Sequence, residues 1–199
     1  MAKDMNSVFK KIAEVIEQVE SKRKKELIET AKATIQQDKV NLHLPSDDLN
    51  YDKAVVTKNM EDSNYIVAIP YKVQGKVKET SAATIVFDED RDFLRYQELV
   101  VEQGADPDSV IYRYYVDNEE KASGTKTTSE PEVSTENWLG CMNSCLANQG
   151  LSNWAIGLFA ALCAAACGTI ILCTACIEGP LLVYSVQITN CLKDCGPNS

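Results

Sequence analysis

Eight cysteines are the residues of this 199-residue chain whose type and spacing point most directly to chemistry. They fall into four close pairs: Cys141 and Cys145, Cys163 and Cys167, Cys173 and Cys176, and Cys191 and Cys195. Residues three or four positions apart lie on the same face of a helix. Each pair therefore suits two disulfides to a neighbouring helix, which predicts short helices joined side by side. The connectivity stays open, because eight cysteines allow 105 pairings.

The pair Cys173 and Cys176 has two alternative interpretations besides disulfides. The sequence Cys173-Thr174-Ala175-Cys176 has the spacing of a zinc or iron–sulfur site, and also that of a thiol redox motif. It lies in an apolar run, however, and the βαβ context of a redox enzyme is missing. Disulfides are the preferred interpretation, so we expect no metal, no cofactor, no catalytic residue and no enzymatic activity.

The charged residues are divided very unevenly along the chain. Of 20 basic and 29 acidic side chains, only Glu178, Lys193 and Asp194 lie in residues 137–199, which contain all the cysteines. This asymmetry predicts two domains of different character. The net charge of −9 argues against a nucleic-acid partner, because binding to phosphate requires a basic face. The only histidine, His43, is interpreted as a loop residue and not as a catalytic base.

Two hydrophobic periodicities follow each other in the N-terminal part. Apolar residues repeat every three or four positions over about residues 7–37, which predicts one long helix or two consecutive ones. Between about residues 51 and 117 the period changes to two, and short turns separate the apolar runs. Connections this short favour an antiparallel meander. We therefore predict an α+β domain over residues 1–118, with a helical segment packed on a four- or five-stranded sheet.

A polar segment separates this domain from the cysteines. Residues 119–136 read EEKASGTKTTSEPEVSTE and contain no large apolar side chain except Val133. Such a composition cannot offset the entropy of ordering, so a disordered linker is predicted. A protease would reach it easily, which places a cleavage point within about residues 119–140. Residues 137–199 then form a small all-α, disulfide-rich, apolar domain.

A long apolar stretch inside this domain suggests a different function. Trp154–Ile177 comprises 24 almost entirely apolar or small residues, and as one helix it would be about 36 Å long, enough to cross a bilayer core. The alternative is therefore a membrane-anchored protein whose N-terminal domain is a cytosolic binding or sensing module. The stretch lacks flanking basic residues and contains four cysteines, which favours a break near Gly168 into short helices.

The tail resembles the halocin C-type bacteriocins, the microhalocin group. The matching residues are Gly140-Cys141 with Cys145, Cys163-Ala164-Ala165-Ala166-Cys167-Gly168, Cys173 and Cys176, and Cys191 with Asp194-Cys195-Gly196. The resemblance covers about a third of the chain. Precursors of that group carry a twin-arginine export signal, which this sequence lacks, and lysine here exceeds arginine. We therefore expect a bacterial relative.

The resemblance implies the precursor of a secreted antimicrobial peptide. A processing protease and an exporter would release the C-terminal peptide, while the precursor and its N-terminal domain stay cytoplasmic or membrane-associated. The N-terminal domain would give immunity or hold the peptide inactive. From the residues we expect the peptide to act on the target-cell membrane or on a membrane receptor, with Trp138 and Trp154 at the membrane interface.

Overall fold

A seven-stranded antiparallel sheet forms the centre of the computed structural model, which describes residues 16–37, 39–78, 80–127, 138–151, 154–158, 162 and 183–195. The strands are adjacent in chain order, so the sheet is a meander. They are β1 (Ile16–Gln18), β2 (Val55–Asn59), β3 (Tyr65–Pro70), β4 (Ala82–Phe87), β5 (Phe93–Gln103), β6 (Ser109–Val116) and β7 (Glu119–Thr127). The predicted antiparallel α+β architecture is confirmed, with more strands than expected.

One described helix lies between β1 and β2 in the chain, and the others follow β7. They are α1 (Ser21–Gln36), α2 (Trp138–Asn148) and α3 (Ser185–Cys195), with a further helical stretch at residues 154–158 and two 3-10 turns at Ser46–Asp48 and Tyr51–Lys53. The second turn occupies the start of what the sequence predicts as a strand.

One face of the sheet, which we call the α1 face, packs against α1 and the loop that follows it. The buried residues Leu27 and Ala31 of α1 contact a cluster that includes Val67, Ile85 and Phe87 from β3 and β4. These strand residues alternate along β3 and β4 with Ile66, Ala68 and Val86, which point to the opposite face as the pleat requires. Burial of this cluster gives the N-terminal part a hydrophobic core of its own.

The opposite face, which we call the tail face, is covered by the C-terminal part of the chain. Leu99, Val101, Val110 and Tyr114 of β5 and β6 form one buried cluster with residues of the tail, the name used below for residues 137–199. Every residue of β3 and of β4 is buried. Apolar runs without alternation are typical of strands covered on both faces. The sheet is therefore the middle layer between α1 and the tail.

The prediction of helix over residues 7–37 is wrong for its middle portion. Ile16–Gln18 forms β1 and pairs with Thr57–Asn59 at the edge of the sheet, and α1 begins only at Ser21. Residues 1–15 lie outside the described part of the chain. The unpaired backbone groups of an edge strand favour the addition of a further strand, and this pairing outweighs the local helical periodicity.

The prediction of a disordered linker over residues 119–136 is wrong for its first half. Glu119–Thr127 forms β7, which pairs with β6 along its whole length, and residues 128–137 are not among those described. The strand does not depend on apolar side chains, because backbone hydrogen bonds to β6 hold it. Of its side chains, only Ala122 packs against the buried cluster. At Gly124 the ring of Tyr112 fills the space that a side chain would need. The ordered sheet therefore ends at residue 127, not at 118.

The described parts of the tail begin and end in helices. A turn at Gly150 follows α2: Gly150 has a φ of +92°, and its N–H donates to the carbonyl of Ala147, while the N–H of Leu151 donates to the carbonyl of Leu146. This is a Schellman motif, with the usual apolar contact between the two leucines. The all-α prediction also extends over residues that are not described. Within the described residues, no helix has the length and hydropathy that a membrane span needs.

Candidate functional site at the interface between sheet and tail

Two disulfides join the first and last helices of the tail. Cys141 is bonded to Cys195 and Cys145 to Cys191, with Cα–Cα distances of 5.7 and 5.6 Å. Because Cys141 pairs with Cys195, and Cys145 one turn later pairs with Cys191 one turn earlier, α2 and α3 run antiparallel. The predicted use of cysteines four positions apart is confirmed for these four residues. Cys163, Cys167, Cys173 and Cys176 lie outside the described residues.

The helical hairpin of α2 and α3, and the helical stretch at residues 154–158, are anchored to the sheet by apolar side chains. Leu146, Leu158 and Ile188 are almost completely buried in the cluster that contains Leu99 and Tyr114 of the sheet. Further along the tail face, Val183 packs against Ile66, Ala68 and Val86 of β3 and β4. The tail therefore contacts the face at both its β3–β4 and its β5–β6 side.

Trp154 belongs to this interface. Its side chain is 8% exposed and packs in the same cluster as Leu99. The predicted location at a membrane surface is not the environment that it has in the intact chain. Trp138 begins α2, and its side chain is not described. A role of either tryptophan at a membrane stays a prediction about the tail after it has left the sheet.

Buried polar side chains lie among the apolar residues of the tail face. Thr84 and Gln97 are directly opposite each other on β4 and β5, and neither has any solvent exposure. The Gln97 side-chain oxygen accepts a hydrogen bond from the Tyr114 hydroxyl at 2.6 Å. The Thr84 hydroxyl and the Gln97 amide nitrogen have no hydrogen-bond partner among the described residues, and the same holds for the hydroxyl of Thr57. Buried polar atoms in a typical protein core almost always have a hydrogen-bond partner, so these unpartnered atoms are unusual.

A cleft of about 520 Å³ opens at one end of the interface. The residues that line it come from the loops around β3 and from the tail: Asn50, Lys53, Pro70, Tyr71, Lys72, Val73, Gly150, Val183, Tyr184 and Gln187. The side-chain oxygen of Gln187 is buried without a partner among the described residues. Pro70 pairs with Ala82, two positions before Thr84 on the same strand. The cleft therefore opens at the end of the β3–β4 pair that lies two positions from Thr84.

The two disulfides differ in their exposure, which predicts an order of reduction. Cys191 and Cys195 are both fully buried, so the difference lies in their partners: Cys141 is exposed, whereas Cys145 is partly buried. Thiol–disulfide exchange requires access of the attacking thiolate to a sulfur atom. We expect limiting reductant to open Cys141–Cys195 several times faster than Cys145–Cys191. Alkylation followed by peptide mass spectrometry measures both rates, and equal rates would contradict the packing of Cys145 against the sheet.

A second constellation lies on the α1 face, centred on a buried carboxylate. Glu98 of β5 has no solvent exposure, and its oxygens accept four hydrogen bonds. The donors are the His43 backbone N–H at 2.8 Å, His43 Nδ1 at 2.9 Å, the Leu44 N–H at 3.1 Å and the Tyr71 hydroxyl at 2.6 Å. The His43 ring also stacks on Tyr115, with ring centroids 3.6 Å apart. These contacts fix the loop after α1 to the sheet.

This constellation contains the carboxylate–histidine pair of a catalytic triad. A carboxylate on Nδ1 orients the imidazole of His43 and leaves Nε2 on the other side of the ring, as in hydrolase triads. The third component is a nucleophile, and no serine, threonine or cysteine among the described residues hydrogen-bonds to His43. Nor do three metal-ligating side chains come together anywhere in the described ranges. We therefore assign Glu98 and His43 to holding the loop.

Burial gives Tyr71 a strong effect on stability at alkaline pH. Burial, followed by the negative charge of Glu98, raises the pKa of Tyr71 far above its ordinary value, so that the hydroxyl stays protonated in the folded protein. In the unfolded chain it ionises near pH 10. The stability is thus complete below about pH 10 and falls as the pH rises further, by about 1.4 kcal/mol per pH unit for this one group.

Replacement of Tyr71 by phenylalanine tests this dependence. We expect Tyr71→Phe to be less stable at neutral pH, because Glu98 loses a donor, and to lose less stability between about pH 10 and 11.5. The difference in slope corresponds to about one proton, and urea unfolding at several pH values measures it. Tyr51, Tyr96 and Tyr115 also have raised pKa values, so both proteins should retain some alkaline sensitivity. Identical slopes would refute the assignment.

Sequence reasoning missed Glu98 and the polar residues of the tail face. In the sequence Glu98 stands within an apolar run, on the same face of the strand as Tyr96 and Val100, which places a carboxylate on a buried surface. That mismatch is the signal that could have identified it. No family model matches this chain, and no curated protein or solved structure is significantly similar to it.

Proposed function

We propose that the chain is the precursor of a secreted antimicrobial peptide. The tail is the peptide, and the sheet domain holds it inactive and protects the producing cell. One observation carries the proposal: the disulfide-bonded hairpin and the helical stretch at residues 154–158 cover the tail face. Their apolar side chains Leu146, Leu158 and Ile188 are buried in one cluster with residues of the sheet, away from solvent. A free peptide with these residues exposed would bind apolar surfaces.

The division of the chain into two cores supports release of the tail. The α1 face has its own cluster around Leu27, Val67 and Phe87, and none of the described residues of the tail belongs to it. Loss of the tail would leave this core intact. We place the cleavage point within residues 128–137, because a cut within β7 would remove hydrogen bonds to β6.

The rest of the tail is included in this proposal. In this proposal Cys163, Cys167, Cys173 and Cys176 form two further disulfides, and short helices with a break near Gly168 make the released peptide a small all-α domain. Disulfides of this kind contribute about 2–4 kcal/mol each to a domain too small for a large core. After release the peptide acts on the membrane of a target cell or on a receptor in that membrane, with Trp138 and Trp154 at the interface.

The intact mass of the protein in culture supernatant of producing cells tests the proposal. We expect a fragment that begins within residues 128–137 and is lighter by eight hydrogen atoms than the reduced peptide, together with killing activity in the same fraction. Full-length protein with free thiols in the membrane pellet would overturn the proposal. It would support the alternative, a membrane-anchored protein with a cytosolic binding or sensing module.

A further inference from the structure

The buried polar residues of the tail face need an explanation that the apolar contacts do not provide. Thr84 and Gln97 lie at the centre of the face, flanked by Leu99, which packs against the tail, and by Val86, which packs against Val183. Valine and leucine would fill these positions without leaving a donor unpaired. A buried hydroxyl or amide without a partner costs free energy that a hydrated one does not.

We propose that these polar side chains make the sheet–tail interface separable. In the intact chain these side chains weaken the contact between sheet and tail. After the tail has left, water can hydrogen-bond to them on the exposed face of the sheet. The inference deepens the proposed function and rests on it: the partner of the tail face is the tail itself, held tightly enough to cover its apolar side chains but not permanently. Interfaces that form and separate are typically more polar than permanent ones.

The position of the cleft supports this view. It opens at the β3 end of the interface and is lined by Gln187 of α3, whose side-chain oxygen lacks a partner within the described residues. Thr84 lies two positions beyond Ala82, which pairs with the cleft residue Pro70. Water entering from the cleft reaches the polar groups first, so separation of the tail starts at this end.

The test compares the rate at which the tail leaves the sheet domain. A specific protease site is placed within residues 128–137 of the full chain, the folded and oxidised protein is cut, and separation is followed by size-exclusion chromatography. The variants are Thr84→Val and, separately, Thr57→Val, which remove a buried hydroxyl with little change of shape. Thr34→Val is the matched control, because Thr34 is a buried threonine of α1, on the other side of the sheet.

We expect the tail to leave about fivefold to tenfold more slowly in the two tail-face variants, and at the wild-type rate in Thr34→Val. Separation of the wild-type tail with unchanged rates in both tail-face variants would overturn the inference and leave the proposed function standing. If the cut wild-type tail does not separate, or if the sheet domain unfolds when it leaves, both fail.

Discussion

Replacement of Glu98 by alanine is expected to lower the free energy of unfolding by about 3–5 kcal/mol. The substitution leaves the buried Tyr71 hydroxyl and the N–H groups of His43 and Leu44 without their acceptor. It also creates a cavity beneath the loop. Glu98→Gln preserves the shape but turns an amide NH₂ toward donors, so its loss should be smaller, about 1–3 kcal/mol. Urea unfolding of the three proteins measures these differences.

A matched control for this prediction lies on the same strand. Glu102 points to the same face of β5, but its side chain is 32% exposed and pairs with Arg113 at 3.3 Å. Exposed ion pairs contribute little, so Glu102→Ala should cost less than about 1 kcal/mol. If Glu98→Ala were no more harmful than Glu102→Ala, the four hydrogen bonds to Glu98 would not hold the loop.

Truncation of Leu158 is expected to loosen the tail selectively. Leu158 has no solvent exposure and packs in the cluster shared by sheet and tail, so Leu158→Ala should cost about 2–5 kcal/mol through lost burial and a cavity. The loss should fall on the docking of the tail. Hydrogen exchange measures it: amides of α2 and α3 should exchange faster, while those of α1 keep their wild-type protection.

Leu27→Ala provides the reverse case. Leu27 has the same side chain and the same burial, but it lies in α1 and contacts the other face of the sheet. We expect the amides of α1 to exchange faster. The amides of α2 and α3 should keep the protection that they have, relative to the sheet, in the wild-type protein. Equal acceleration of α1 and of the tail in both variants would mean that the two faces form one cooperative unit, which would contradict a separable tail.

Much of the architecture was predictable, because periodicity and turn residues reflect local physics. The five central strands, β2 to β6, and the helix α1 that packs on them follow from such patterns. The use of cysteines four positions apart does so too. The continuous burial of β3 and β4 also had a signal, since their sequences YIVAIP and AATIVF do not alternate. Runs of this kind indicate a sheet covered on both faces, and thus a tail that packs on the sheet.

The edges of the sheet were not predictable in the same way. β1 and β7 are held by pairing with a neighbouring strand, and this depends on which strand edge is free in the folded protein. The composition of β7 is that of a linker because most of its side chains are exposed. The same limit applies to the disulfide pairing, since the choice of Cys195 as the partner of Cys141 depends on how α2 and α3 meet.

The most direct test of the account is a killing assay with the separated parts. The tail is released from the folded full chain by cleavage within residues 128–137, separated from the sheet domain and added to susceptible cells with its disulfides intact. We predict killing by the tail alone, no killing by the uncut chain, and loss of killing when the sheet domain is added back in equal amount. A tail that is harmless to cells and to lipid vesicles, or one whose activity the sheet domain does not reduce, would contradict the account.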